Sequence, residues 1–509
     1  SIEDYYQLMS QVVPTVPLAA INQLAAECIS KNNRAIVLMG NEEQRATYPT
    51  PEHIRQIISR VDGEQLQAYA EETITEPLLA SLPKPGKVVK EEKLSDLGAT
   101  LWTLSNGARV AVKKTDFKQD EIRISGFAYG GKSLMDSRYA AEQKLMDEAA
   151  SVGGLGKFSV PDLKKVLAGK NVSGSISIGE YNQSMGGNSS VKDLETLMQL
   201  LYLQFTSVRK DETAYKALTS RIKGVLPMLA NNPDFVFNDS LMMAIYNNNP
   251  LVRIPTVEEI DAANYDAVLS LYRARLANAA DYTFTIVGNV DESTLRPLVE
   301  QYIASLPASK PTQPPFNKNY LPKRKGMYAV HFSREMETPK ATTAIIYSGD
   351  VAYTPDNLIL LSALEDLFEM EFTDKIREKL GGTYGVSVIS EAQKMPSDHF
   401  SLQFRYDCAP ERRAELTEAM NKVTERLCSE GPDATMLRKV KEYMIKQHTD
   451  NLKENAYALS ATQRYVVYGI DIAKDYTKKV EALTPESIRT FANTFFKQGN
   501  RIEVSMSSK

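Results

Sequence analysis

Apolar residues recur along this chain in two rhythms, a helical one with a period near 3.6 and an alternating one with a period of 2, and the order of the rhythms repeats. Near the start, a helical pattern over Pro17–Ser30 runs through Asn32-Asn33 into the apolar run Ala35-Ile36-Val37-Leu38-Met39-Gly40. In the middle, Thr256-Val257-Glu258-Glu259 forms a capping box. A helix follows it to about Asn278, and then the strand Tyr282-Thr283-Phe284-Thr285-Ile286-Val287-Gly288. At the end, Thr484 with Pro485 opens a helix that leads through Gly499-Asn500 into Ile502-Glu503-Val504-Ser505-Met506. The repeat distance is roughly 220–250 residues, the size of a domain rather than of a solenoid unit.

The second and third repeats have fuller outlines. In the second, Leu104–Val110 reads as a hairpin turning at Asn106-Gly107. It is followed by a strand over Ile122–Tyr129, a helix over Ser137–Ala150, strands near Val172–Ile178 and Gln183–Asn188, and helices over Val191–Phe205 and Asp211–Leu226. The third matches it with strands Met327–Phe332 and Thr342–Gly349 and a long helix Asn357–Leu380. Strands Tyr384–Ala392 and His399–Tyr406 come next, then helices Glu411–Ser429 and Ala434–Thr449. Strands joined by short hairpins, with helices grouped together, predict an α+β fold. It comprises tandem modules, each with a mostly antiparallel sheet covered by helices on one face. Pro307, Pro311, Pro314, Pro315 and Pro322 mark a stiff connection, and Pro77, Pro83, Pro85 and Gly86 mark another break. The expected organisation is a tail of a preceding module (1–80), a linker (81–96), one whole module (97–306), a Pro-rich linker (307–325) and a second whole module (326–509).

Composition narrows the chemistry. The chain has 509 residues and a net charge of −4, so it lacks the basic excess that a nucleic-acid binder uses to displace counterions. No apolar run is long enough to span a membrane. Cys28, Cys408 and Cys428 form no C-x-x-C, so neither a disulfide framework nor a thiolate zinc site is signalled. The chain starts at Ser1 inside a helical pattern, which reads as a processed or engineered fragment. The histidines, His53, His331, His399 and His448, are too scattered for two imidazoles one helical turn apart and read as isolated structural or surface residues. Gly153-Gly154-Leu155-Gly156-Lys157-Phe158-Ser159 approaches a phosphate loop and fails. Ser151 stands where the first Gly is needed, and Phe158 follows the Lys.

The informative segment is Arg377-Glu378-Lys379-Leu380-Gly381-Gly382-Thr383-Tyr384-Gly385-Val386-Ser387. Leu360, Leu361, Leu364, Phe368, Phe372, Ile376 and Leu380 form one helical stripe, and Arg377 falls off it in the last turn. Gly381-Gly382 stops the helix, and Tyr384 opens a strand. Arg377 and Tyr384 thus flank one sharp turn, where a guanidinium and a phenol can hydrogen-bond a peptide carbonyl or a developing oxyanion. The plainer reading is a cation meeting the helix macrodipole and a tyrosine packing at a strand start.

This segment resembles the C-terminal half of the pitrilysin and insulin-degrading-enzyme family of zinc metallopeptidases. The resemblance implies two α+β modules in tandem per half, and two halves that close around a peptide. It implies that Arg377 and Tyr384 bind substrate in that chamber. It also implies a zinc site in the catalytic half, made by H-x-x-E-H on a helix, with the Glu as general base. The corresponding helix here reads Tyr139-Ala140-Ala141-Glu142-Gln143 in one register, with Lys144…Glu148 as another, and under either the metal ligands are missing.

The resulting expectation is a substrate-binding half without a zinc site of its own and with no catalytic residue, inactive by itself. Its partners would be a zinc-bearing N-terminal half and a peptide substrate, and a bacterial periplasmic or envelope location is expected from relatives. Two alternatives remain open. One is a non-enzymatic assembly subunit of the same superfamily, and the other is the non-catalytic chain of a heterodimeric peptidase.

Overall fold

The computed structural model describes residues 1–29, 33–40, 42–65, 74–312 and 314–509. The chain divides into two units, Ser1–Glu72 and Thr73–Lys509.

The first unit holds the helices Ile2–Val12, Leu18–Cys28 and Pro51–Asp62, none of which has a buried residue. The apolar run Ala35–Gly40, expected as a strand, is not one. Among the described residues it has no ladder partner, and its apolar side chains are largely exposed. A strand needs a neighbour to take up its N–H and C=O groups, and none of the unit's described elements supplies one. Ser30 and Asn32, at the expected helix end and turn, lie outside the described residues.

The second unit contains two sheets. The first is built from β1 (Val88–Leu94), β2 (Ala99–Leu104), β3 (Arg109–Lys114), β4 (Ile122–Tyr129), β5 (Val172–Ile178), β6 (Asn182–Ser189) and β7 (Thr283–Gly288), in the order β1-β2-β3-β7-β4-β6-β5. The second is built from β8 (Met327–Arg334), β9 (Ala341–Gly349), β10 (Val386–Gln393), β11 (His399–Cys408) and β12 (Asn500–Ser508), in the order β10-β11-β9-β12-β8. One pair in each sheet is parallel, β3 with β7 and β8 with β12, and the other pairs are antiparallel. In both, the last strand of the module inserts between two earlier strands. It runs parallel to one and antiparallel to the other.

The helices of each module cover one face of its own sheet. In the first module Leu145, Met146, Leu197, Leu201, Val268 and Leu269 close over Val110, Ile124 and Ile286. In the second, Leu364, Phe368, Leu416, Met420 and Ile488 close over Ile345, Leu402 and Phe404. The opposite face of each sheet is covered by a helix from the other module.

Helix Pro233–Ile245 of the first module lays Phe237, Leu241 and Ala244 on Ala344, Ile346, Ile502, Val504 and Met506 of the second sheet. Arg405 of β11 sits over the Phe237 ring at 5.0 Å and donates to Asn238 Oδ1 at 2.9 Å. Helix Asn455–Tyr468 of the second module packs on β3, β4 and β7 of the first sheet. There Thr115 Oγ1 donates to Asn455 Oδ1 at 2.6 Å, Asn455 Nδ2 donates to Glu121 at 2.9 Å, and the Arg109 guanidinium donates to the Val466 carbonyl at 3.3 Å. Covered on both faces, β7 has all six residues buried. Neither exchanged helix was expected from the sequence.

Both linkers depart from the expected open spacers. The stretch expected as linker 81–96 supplies β1, the edge of the first sheet. The Pro-rich segment is pinned to the first module. Phe316 stacks on Tyr129 at 5.7 Å and meets Tyr181 edge-on, while the Tyr181 hydroxyl donates to the Leu321 carbonyl at 3.2 Å and accepts from the Leu321 amide at 3.1 Å.

The exchanged helices make the two modules one cooperative unit. Phe237→Ala is therefore expected to cost about 3–5 kcal/mol. In urea titrations, the fluorescence of Trp102, the single tryptophan and fully buried in the first module, is expected to shift together with the far-UV signal. A Trp102 transition left in place while the far-UV signal moves would show that the modules unfold separately.

Candidate functional site

The helix that carries the Arg/Tyr segment is fixed at both ends. Thr354 caps its start, with Pro355 in the first turn, and it runs over Pro355–Phe372 before widening into a π-helical stretch, Thr373–Leu380. Leu361, Leu364, Leu367, Phe368, Phe372 and Ile376 are buried beneath it, while Leu360 and Leu380 are only half-buried. A π stretch changes the number of residues per turn; residues 377–379 turn outward, and Leu380 packs back against the core.

Two charged contacts anchor this end. The buried Glu371 carboxylate is paired with Arg426 of the neighbouring helix Arg413–Ser429 and with Lys375 at 2.7 Å. Arg412 donates to the Leu380 carbonyl at 3.2 Å and is itself held by Glu415 through two hydrogen bonds of 2.9 and 3.0 Å.

The turn depends on its glycines. Gly381 adopts φ 64°, ψ 24°, the left-handed cap that a side chain resists. A Cβ on Gly382 would sit 3.0 Å from both Arg412 Cζ and Leu416 Cδ2. The loop then closes on itself, with Thr383 Oγ1 accepting from the Gly385 amide at 3.2 Å and donating to the Gly385 carbonyl at 2.9 Å. Strand β10 starts at Val386, paired with Tyr406.

Arg377 and Tyr384 lie on either side of this anchored turn. Arg377 is exposed, and Tyr384 has a relative exposure of 101%. Among the described residues neither side chain has a hydrogen bond or ion pair, whereas the nearby Lys375, Lys379, Arg412 and Arg426 all do. A groove of about 790 Å³ in this module, lined by Tyr347, Asn421, Cys428, Phe496, Arg501 and Glu503, does not include either residue. The turn therefore presents a cation and a phenol outward from a rigid base.

A second, half-buried acid lies on the same helix. Asp366 is pushed up to about 7 by burial first and then by Glu365 and Glu369 beside it, and it faces Tyr476.

The helix aligned with the zinc motif is differently committed. It spans Ala140–Ser151, with Glu142 and Gln143 buried. Glu142 accepts from the Asn264 amide at 3.1 Å. Gln143 donates to the Asp136 carbonyl at 3.0 Å and accepts from the Tyr320 hydroxyl at 2.7 Å. Lys144 is buried against Glu259 at 3.1 Å.

The Pro-rich segment thus packs beside this helix through Tyr320. Among the described residues no group of three or more His, Cys, Asp or Glu side chains is gathered to hold a metal, so the residues present do not fit a zinc ion. The histidines are dispersed. His53 is exposed, His331 lies 3.8 Å from Glu503, His399 Nδ1 is 3.1 Å from Asp350, and His448 stacks on Tyr476 at 4.1 Å. The glycines of 153–156 serve a close approach, since a Cβ on Gly153 would lie 1.9 Å from the Arg209 carbonyl oxygen.

Comparison with known proteins places this fold. Residues 262–444 match the peptidase M16 inactive domain. A zinc protease PQQL-like protein of Arabidopsis thaliana is 24% identical over 479 residues, covering 90% of this chain and 47% of the relative. The crystal structure of the periplasmic protease PqqL from Escherichia coli superposes with a TM-score of 0.76 at 19% identity, covering 100% of this chain and 56% of that one. The first half of the same PqqL superposes with a TM-score of 0.63 at 13% identity, covering 83% of this chain and 93% of that one. The chain spans about half the length of the curated relatives it matches.

Removing the Arg412 anchor is expected to loosen the turn and leave the module folded. In Arg412→Ala, amide exchange over Gly381–Gly385 should accelerate roughly tenfold, a local opening, with the urea midpoint unchanged. An unchanged exchange rate would mean the glycines hold the turn without it. For Asp366, the folded state favours the neutral acid, so stability is lost as pH rises from the ordinary carboxylate range through about 7. Asp366→Asn is expected to raise the urea midpoint at pH 8 and to leave it unchanged at pH 3. A rise of equal size at both pH values would contradict that sign.

Proposed function

For a chain related to the M16 zinc peptidases and spanning about half the length of its relatives, we propose the role of the substrate-binding, non-catalytic half of a zinc-dependent endopeptidase. Its substrate is an unfolded peptide held between two halves. The metal chemistry belongs to the other half, whose zinc activates water for attack on the scissile carbonyl. This half closes over the peptide and excludes bulk water. Arg377 donates to a peptide carbonyl, and the Tyr384 hydroxyl donates beside it, which orients the scissile bond or steadies the charge that develops on its oxygen. The partners are the zinc-bearing half and the peptide, and the compartment is the bacterial periplasm, the location named for the Escherichia coli relative.

The observation that carries this reading is the state of the pair. Arg377 and Tyr384 are exposed and unpartnered among the described residues, while the helix end and turn that hold them are tied by Glu371, Arg426 and Arg412. Long polar side chains on a rigid base lose less freedom on binding than the same groups on a mobile loop. A structural cation at a helix end would be expected to contact the last carbonyls, and here Arg412 already does so.

The test uses a quenched peptide with zinc. The chain alone is expected to cleave nothing. Together with the half that carries H-x-x-E-H it is expected to cleave, and Arg377→Ala and Tyr384→Phe should each lower kcat/KM roughly tenfold to a hundredfold, the worth of a hydrogen bond to a charged or charging group. Full turnover in both variants would remove the assigned role. Absence of any H-x-x-E-H partner would favour an assembly subunit.

A further inference from the structure

A pocket of about 140 Å³ lies at the start of the helix whose far end carries the Arg/Tyr turn. Its walls come from the first turns of that helix, the end of helix Ala434–Asn451, the exchanged helix Asn455–Tyr468 and the turn that leads into Tyr476. Among the described residues no carboxylate lines it, and Arg464 is the one permanent cation in its wall. The exchanged helix buries Ala458, Ala461, Thr462 and Val466, and Arg464 is left half-buried on the pocket side. Its guanidinium has no hydrogen bond or ion pair among the described residues. The acids in this region are engaged elsewhere. Asp356 pairs with Lys479 at 2.8 Å, Asp471 accepts from the amides of Ala473 and Lys474 at 3.0 and 2.9 Å, and Asp366 faces Tyr476 from outside the lining. His448 stacks on Tyr476 at 4.1 Å and shares a hydrogen bond of 3.2 Å with the Tyr457 hydroxyl. Burial holds its imidazole below the ordinary range, so at neutral pH it adds no charge. A cation taken partly out of water without a counter-ion costs free energy, and the pocket beside Arg464 is where a counter-ion has room.

We propose that this pocket binds a carboxylate, held by the two-pronged fork of the Arg464 guanidinium. Ser362, Gln447 and Asn451 offer neutral hydrogen-bonding groups around the same space. Leu358, Ile359 and Ile472 give it an apolar wall. A cavity of about 150 Å³ admits a benzene-sized guest of about six heavy atoms. The room therefore suits a carboxylate on a short apolar stem, either the small last residue of a peptide or a free short-chain acid, and excludes an oligophosphate. A single phosphate would meet the fork and leave the apolar wall uncovered. The site stands apart from Arg377 and Tyr384, which lie beyond Phe372 at the opposite end of the helix, so its occupancy does not presuppose peptide cleavage.

The test uses the 509-residue chain with isotope-labelled isoleucine methyl groups, because Ile359 and Ile472 report from the pocket wall in NMR spectra. N-acetyl-alanine is expected to shift both signals with a dissociation constant of about 1 mM or tighter, and acetate to shift them as well. N-acetyl-alanine amide, the same stem without the charge, should shift neither. Arg464→Gln should weaken binding roughly tenfold to a hundredfold, the worth of hydrogen bonds to a charged group, and leave the Trp102 urea transition in place. Arg464→Lys, which keeps the charge and loses the fork, should fall between the two. Tighter binding of N-acetyl-alanine than of acetate supports a peptide end as the source of the carboxylate, and the reverse order supports a free short-chain acid. Four results overturn the proposal: no shift from either carboxylate at about 10 mM, equal binding of the amide, tighter binding of inorganic phosphate than of both carboxylates, or unchanged affinity in Arg464→Gln.

Discussion

The second unit is organised around strands that arrive last and are buried on both faces. β7 joins a sheet whose other strands all precede it by about a hundred residues or more of chain, and β12 does the same in the second module. A central strand of this kind cannot leave one face to water, as an antiparallel edge can. The helices within one module cover only one side. The second side is closed by trading helices, Pro233–Ile245 in one direction and Asn455–Tyr468 in the other. The trade explains why buried threonines, Thr283, Thr285 and Thr115, occur beneath a helix where leucines would be expected, and why that helix opens with the buried Asn455. Small side chains let the borrowed helix approach closely, and Asn455 satisfies polar groups of the first module that would otherwise be stranded.

The same economy shapes the two candidate sites. In the first module, the helix that aligns with a zinc-binding motif has its polar residues consumed by the module itself and by the Pro-rich segment, whose Tyr320 donates to Gln143. In the second module, a comparable amount of polar chemistry is spent one layer further in. Glu371, Arg426, Arg412 and Glu415 tie the helix end and the diglycine turn, and Arg377 and Tyr384 are left free. One module is closed by its own chain, and the other holds its polar groups outward. This asymmetry is what a half-molecule would need if it binds a peptide at one of its two modules only.

How much of this was legible in the sequence varies with the range of the interaction. Thr354 with Pro355, the capping box at Thr256, and the alternation over Ile122–Tyr129 and His399–Tyr406 are local signals, and the corresponding elements stand within a few residues of their expected bounds. The repeat of helix and apolar strand was visible because each copy carries the same local signals. Arg377 and Tyr384 stood out through Gly381-Gly382, a turn whose chemistry is also local. The stripe reaches Leu380, which packs against the core half-buried, whereas the π stretch that carries it has no signature in a 3.6-residue pattern. The anchors Glu371 and Arg412 gave no signal, because their partners Arg426 and Leu380 are distant in sequence or are backbone.

By itself, then, the amino-acid order determined the strands, the capped helices, the glycine turn and the absence of paired metal-binding histidines, all of which depend on residues within a few positions of one another. Only the tertiary structure decided that β1 belongs to the first sheet, that the Pro-rich segment is pinned across the first module, that two helices are exchanged, and that Ala35–Gly40 stays unpaired. Those outcomes turn on which surface lies opposite, and burial of a face depends on a neighbour that can be hundreds of residues away along the chain.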